Sequence, residues 1–231
     1  MAKQVAIITG AGGGIGRATA VELARLGFIP VLIGRTIKTL RETAKLVEDS
    51  LIVRADITKP AQVDTVVGKT LKRFKRIDAI VNNAGVAPVL PIEKTNVKIW
   101  RQVIDTNLSS AFYLCRAAWS ILKKQRSGVI VNISSMSAKD PFPGFLAYGA
   151  AKAGLNTLTI SLAREGVDIG VRTYCIAPGA VETTMLRKIL SPQQLSSDNT
   201  LAPQAVAEVI GRCIGGDPRY ISGETIWLAK N

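Results

Sequence analysis

A chain of 231 residues with 47% hydrophobic content can bury one sizeable core, and its lack of any histidine excludes imidazole catalysis and the common zinc sites. Thirty Lys and Arg (30 against 17 Asp and Glu) leave a net charge of +13, a basic surface attractive to cofactor phosphates, an acidic carrier protein or nucleic acid. No stretch approaches 18 consecutive apolar residues and MAKQVAIITG holds no apolar run long enough for a leader, so no membrane span is expected and a cytoplasmic address is the default. Cys115, Cys175 and Cys213, odd in number and widely spaced, read as reduced core residues, and no metal site is expected.

The first half of the chain alternates strand and helix. Val5–Thr9, Ile29–Ile33, Leu51–Val53 and Ile77–Asn82 read as short apolar strands. Between them lie helical patterns over Ile15–Leu26, over the segment from a Thr36 N-cap to Val47, and over Ala61–Phe74, opened by Pro60. A long helix over about Asn96–Lys124 follows, then the strand Val129–Ile133, a helix from Phe145 to Glu165 and the strand Val171–Ile176. A short helical piece spans Thr183–Leu190, Ser191–Ala202 reads as a polar loop, Pro203–Ile214 as a helix and Thr225–Ala229 as a last strand. Strands that are apolar throughout and spaced by helices indicate a parallel sheet covered on both faces. The expectation is a single α/β domain over 1–231, a doubly wound, seven-stranded Rossmann sheet.

Two stretches carry chemistry. Thr9-Gly10-Ala11-Gly12-Gly13-Gly14-Ile15-Gly16 joins the first strand to the first helix. Glycines there allow a tight turn and a close backbone approach to a pyrophosphate, and the helix N-terminus adds partial positive charge. The second stretch, VIVNISSMSAKDPFPGFLAYGAAKAG, runs as a strand ending at Ser134 and Ser135, a loop, and a helix carrying Tyr148 and Lys152 four residues apart on one face. The basic clusters Lys72, Arg73, Lys75, Arg76 and Lys123, Lys124, Arg126 close helical patterns, where cations suit the macrodipole.

In order along the chain stand T-G-x-x-x-G-I-G at Thr9–Gly16, Asp56 after the third strand, N-N-A-G at Asn82–Gly85, Asn107, Ser135, Y-x-x-x-K at Tyr148–Lys152, and P-G at Pro178–Gly179. With this set the sequence resembles a short-chain dehydrogenase/reductase over nearly its whole length. The resemblance implies that Tyr148 is the general acid for carbonyl reduction and that Lys152 lowers its pKa and holds the nicotinamide ribose. It also implies that Ser135 donates to the substrate oxygen and that Asn107 anchors a water linking Lys152 to solvent. Ser134 competes with Ser135 for that role, and the thirteen-residue spacing from Ser135 to Tyr148 matches the family. For the cofactor it implies Asp56 on the adenine amino group with Ile57 beside the ring, and Asn83, Ala84 and Gly85 along the adenosine cleft. Pro178, Gly179, Val181 and Thr183 are implied at the nicotinamide carboxamide.

The second strand ends Ile33-Gly34-Arg35-Thr36, with no carboxylate to repel a 2′-phosphate, an arginine that can fork onto one and a threonine hydroxyl. NADP(H) is therefore the expected cofactor, although Gly13 stands where NADP-preferring members often carry a second basic residue. The segments Ala147–Ala153 and Leu162–Glu165 resemble the 3-oxoacyl-[acyl-carrier-protein] reductase branch. That implies a 3-oxoacyl thioester substrate in fatty acid biosynthesis, with Arg126 matching a basic residue used for an acidic acyl carrier protein and Ile169 replacing the second. A carbonyl or alcohol reductase of other small substrates is the alternative. A non-catalytic cofactor sensor or nucleic-acid binder on the same fold is a third class, set back by the presence of both Tyr148 and Lys152; nucleic acid is not an expected partner. The family also implies a homotetramer, with subunit contacts through the helices Asn96–Lys124 and Phe145–Glu165.

Overall fold

A computed structural model of the chain describes residues 3–230; Met1 and Ala2 of the segment read above as leaderless, and Asn231, lie outside them. Strands β1 (Gln4–Thr9), β2 (Phe28–Gly34), β3 (Leu51–Arg54), β4 (Ala79–Asn82), β5 (Gly128–Ile133), β6 (Val171–Pro178) and β7 (Thr225–Leu228) form one sheet in the order β3-β2-β1-β4-β5-β6-β7. Every pairing is parallel. This is the single-domain, doubly wound Rossmann arrangement the alternation implied.

Alternate residues of a strand point to opposite faces, so a sheet buried on both sides needs apolar residues at both parities. In β1, Val5 and Ile7 join the core under α3 (Pro60–Phe74), α5 (Ser110–Gln125) and α6 (Leu146–Gly166). Ala6 and Ile8 join the opposite core, under α1 (Gly14–Arg25), α2 (Ile37–Ala44) and α8 (Pro203–Gly215). The connections run outward in opposite directions from β1 and β4, and a crevice opens between the carboxyl ends of those neighbours. Cys115, Cys175 and Cys213 are free and buried.

Three element readings need correction. The long helix is two: α4 (Val97–Ile104) and α5 are joined by a π-helical turn over Asp105–Ser109. Periodicity continues through such a turn, so the pattern does not reveal it; π-turns recur at functional sites. Asn96 caps α4, its side chain accepting from Ile99 N at 3.0 Å. Thr36 stands at the N-cap of α2 but makes no side-chain cap bond, and the helix stops at Ala44, tightening into turns such as Leu46 N to Thr43 O at 3.0 Å. The short helix α7 covers only Thr184–Arg187, capped by Thr183 Oγ1, which accepts from Leu186 N at 3.2 Å.

Candidate active site

The glycine loop is shaped by close approaches. Gly10 (φ +67) and Gly14 (φ +50) adopt left-handed backbone, and a Cβ on Gly10 would stand 2.8 Å from Asn83 Nδ2. A Cβ on Gly16 would meet the Gly10 carbonyl and Asn83 Nδ2, the latter at 2.6 Å; one on Gly12 would strike Thr39, and one on Gly14 would approach Thr183 Cγ2 at 2.9 Å. Gly13, with φ −176, has nothing within 4 Å. The floor of the crevice is thus bare backbone leading into the unbonded N–H groups of the first turn of α1, which suits a pyrophosphate. Ile15 is half-buried against the core.

Thr9 and Asn83 brace this loop. Thr9 Oγ1 accepts from Asn83 N (3.0 Å) and Ala84 N (3.1 Å), and Asn83 Nδ2 donates to Thr9 O at 2.9 Å. The Thr9 hydroxyl and the Asn83 amide nitrogen are engaged within the protein, so they shape the backbone along the crevice. Arg17, one turn into α1, is also engaged: it donates to Gly12 O at 2.7 Å and pairs with Glu42.

At the far end of the crevice lies a cavity of about 640 Å³. Arg35, Asp56 and Lys59 form one side, and α4 with Asp105 and Thr106 of the π-turn the other. Asp56 Oδ1 accepts from both the N–H (3.0 Å) and the hydroxyl (2.8 Å) of Thr58. Burial raises the Asp56 carboxyl pKa, but those two bonds, with Arg35 and Lys59 nearby, outweigh it and leave the group below its ordinary value. Only one oxygen of Asp56 is committed; the other is without a protein donor among the described residues. Ile57 packs against the core beside it.

The reactive end is built on β5 and α6. Asn132 ties the two elements to β4: Asn82 Nδ2 donates to Asn132 Oδ1 at 2.8 Å, and Asn132 Nδ2 donates to Thr159 Oγ1 on α6 at 2.9 Å. The two competing serines differ in burial. Ser134 Oγ donates to Lys152 O at 3.1 Å and is 2% exposed, whereas Ser135, half-buried, accepts from Ser137 N at 3.1 Å and lies beside the Tyr148 hydroxyl. Tyr148 is in the first turn of α6, where the macrodipole favours negative charge. Lys152 is 4% exposed and donates from Nζ to the Ile133 carbonyl at 2.7 Å.

The electrostatics differ from expectation. Burial pushes the Tyr148 phenol above its ordinary value, with Ser135 pulling the other way. Burial also brings the Lys152 ammonium down from 10.5 to about 8, partly opposed by neighbouring Cys175. The ammonium sits on a strand carbonyl, 5.5 Å from the Tyr148 ring centroid, and desolvation dominates the phenol. A phenol held protonated at neutral pH can donate a proton.

Asn107 is brought to the same place by the π-turn. It is 2% exposed; Oδ1 accepts from Val86 N at 3.2 Å and Nδ2 donates to Val86 O and Val103 O, both at 2.9 Å. A Cβ on Gly85 would stand 2.6 Å from Asn107 Oδ1 and 3.8 Å from Lys152 Nζ, so the bare edge of Gly85 is where the two side chains converge. Beyond β6, Gly179 N donates to Leu228 O at 2.7 Å. Val181 bridges Leu201 through its neighbours: Leu201 N to Ala180 O at 2.8 Å and Glu182 N to Leu201 O at 2.9 Å. That pattern leaves the Val181 N–H uncommitted among the described residues.

One feature was not legible in the sequence. Glu182, Arg187 and Thr200 form a clasp in the segment that follows β6, where Thr183 comes up against Gly14. Arg187 grips both Glu182 oxygens and donates to Leu195 O at 2.7 Å, while Thr200 Oγ1 donates to Glu182 at 3.2 Å. The contact pairs residues whose spacing follows no regular period. Arg126, in contrast, lies away from the site. It precedes the amino end of β5, roughly 20 Å of strand from Ser135, and its guanidinium donates to Asp168 O at 2.9 Å.

A family model described as short chain dehydrogenase matches residues 4–194. A 3-oxoacyl-[acyl-carrier-protein] reductase of Synechocystis sp. is 34% identical, covering 97% of this chain and 95% of that protein. A 3beta-hydroxysteroid dehydrogenase 1 of Eggerthella lenta is 32% identical, covering 99% and 87%. Among solved structures, a 3-ketoacyl-(acyl-carrier-protein) reductase from Brucella melitensis complexed with NADH superposes with a TM-score of 0.92 at 27% identity, covering 98% of this chain and 96% of that one.

Proposed function

The chain belongs to the short-chain dehydrogenase family of oxidoreductases, which act on CH–OH donors with nicotinamide cofactors, and from that premise we propose that it is an NADP(H)-dependent reductase of 3-oxoacyl thioesters. The observation that carries the reading is the convergence of Ser135, Tyr148, Lys152 and Asn107 at the carboxyl ends of β4 and β5. The bare-backbone floor, the cavity beside Arg35 and Asp56, and a Val181 N–H uncommitted among the described residues fit an extended dinucleotide. Thr9, Gly10, Gly12, Gly13, Gly14, Ile15 and Gly16 would hold its pyrophosphate end. Arg35, Thr36, Asp56, Ile57, Asn83, Ala84 and Gly85 would hold its adenosine. Lys152, Tyr148, Pro178, Gly179, Val181 and Thr183 would hold the nicotinamide half.

When bound, the nicotinamide supplies or accepts hydride. The protein's part is the proton and the developing charge. Ser135 Oγ donates to the carbonyl oxygen of the substrate, and the Tyr148 hydroxyl passes its proton to the same oxygen as negative charge grows there. The buried ammonium of Lys152, fixed by Ile133, stabilises the phenolate left behind. Asn107 anchors the water through which Lys152 regains a proton. In reduction the raised phenol pKa keeps the donor loaded at neutral pH.

The acyl reading is supported by an aromatic run leading to Tyr148. Phe142 is 70% exposed and meets Phe145 edge-on at 6.2 Å, and Phe145 lies 5.3 Å from Tyr148. Met185, 41% exposed on α7, adds apolar surface. Contact between Arg126 and an acyl carrier has no such support within the subunit. Exposed Trp100, Phe112 and Ile160 on α4, α5 and α6 support a homotetramer, for which light scattering should give four times the mass of the chain.

The test is oxidation of NADPH and NADH against acetoacetyl thioesters and a panel of simple ketones, with wild type and Tyr148→Phe. Thioester turnover with NADPH, reduced at least about 100-fold in the variant while dinucleotide binding persists, is the expected result. Preference for an unrelated ketone overturns the substrate assignment. Retained turnover in Tyr148→Phe overturns the proton donor.

A further inference from the structure

The cavity at the adenosine end carries charge on both walls. Arg35 lines it from the end of β2, Lys59 from the N-terminus of α3, and Lys98 and Arg101 from α4. Against these four cations stand the carboxylates of Asp56 and Asp105. Asp56 is held by Thr58, and Asp105 accepts a bond from Ser109 at 3.4 Å. None of the four cations takes part in an ion pair among the described residues. Arg17, the other cation beside the glycine loop, is tied to Gly12 and Glu42. No side chain stands at Gly13.

We propose that Lys98 and Arg101 are specificity-determining residues: the positive wall of α4 favours a dinucleotide bearing a 2′-phosphate over one bearing a 2′-hydroxyl. The proposal rests on the NADP(H) reading above and extends it. A dianion added to a cavity with an excess of positive charge is attracted by every cation within about a Debye length, whether or not it touches them. A neutral hydroxyl gains nothing from the same field. Arg35 supplies the contact; α4 supplies the potential, in place of a basic residue in the glycine loop. Both α4 side chains are exposed on their helix, so charge reversal leaves the core intact.

The test uses the adenosine end alone. Calorimetric titration of adenosine 2′,5′-bisphosphate and of adenosine 5′-monophosphate into wild type, Lys98→Glu/Arg101→Glu and Arg35→Asp, at about 20 mM and 500 mM salt, separates contact from potential. The α4 double variant should weaken the bisphosphate about tenfold at low salt and the monophosphate less than about threefold, with the gap closing at high salt. Lys98→Gln/Arg101→Gln should give a smaller loss in the same direction. If the α4 variants weaken both ligands equally, or neither, while Arg35→Asp still singles out the bisphosphate, the role of α4 is refuted and the NADP(H) reading stands. If Arg35→Asp also fails to single out the bisphosphate, the NADP(H) reading falls with it.

Discussion

The ammonium of Lys152 stands 5.5 Å from the centroid of the Tyr148 ring, held there by a 2.7 Å bond to the carbonyl of Ile133. One turn of α6 brings the two residues to the same face, but the strand carbonyl sets where the charge comes to rest. The cation is consequently buried, and burial lowers its pKa to about 8.

That depression has a signature in stability. The folded protein releases the Lys152 proton near pH 8 and the unfolded chain near 10.5, so the unfolded state binds more protons between those values. Stability from this group therefore rises as pH increases from about 8 to 10.5 and is lost as pH falls through 8; the full span corresponds to roughly 3 kcal/mol. Across pH 7–10.5 the melting temperature of Lys152→Met should be highest relative to wild type at low pH, and wild type should gain on the variant as pH rises from about 8 to 10.5. Parallel curves would show that Lys152 titrates as an exposed lysine. In the same window the reduction rate should decline as the ammonium is lost.

The glycine loop offers a contrast within four residues. Gly16→Ala places a methyl against the Gly10 carbonyl and 2.6 Å from Asn83 Nδ2, atoms whose bonding ties the loop after β1 to the segment after β4. A loss of about 2–3 kcal/mol in chemical denaturation and of dinucleotide binding is expected. Gly13→Arg enters open space at an extended φ of −176. Its melting temperature should match wild type, and the ratio of kcat/KM for NADPH over NADH should rise several-fold, since a guanidinium there can fork onto a 2′-phosphate. A destabilised Gly13→Arg protein would count against this account of the loop.

The clasp of Glu182, Arg187 and Thr200 predicts a binding defect. Arg187→Ala removes the partner of both Glu182 oxygens and the bond to Leu195 O. The segment carrying Met185 and Leu186 should loosen, raising the KM for the carbonyl substrate about tenfold while kcat stays within about threefold. Protease should cut between residues 188 and 199 faster in the variant. An unchanged KM with faster cleavage would separate the clasp from substrate binding.

Local chemistry made much of this protein readable from its residues in order. Strands apolar at both parities require a sheet covered on both faces, a glycine-rich turn after the first of them requires a bare crevice floor, and Tyr148 and Lys152 four apart share a helix face. Other decisions depended on groups distant in sequence. Ser134 and Ser135 are alike in the chain; only the packing of α6 on β5 turns one inward to the Lys152 carbonyl and leaves the other beside Tyr148. Asn107 reaches Val86 because a π-turn inserts into what reads as continuous helix. Arg126 is near Ser135 in number and a strand's length away in space, while Lys98 and Arg101 come to face Arg35 across a cavity. Periodicity reports which face a residue occupies, and it carries no information on what another element places opposite; desolvation and long-range charge arise only when those faces meet.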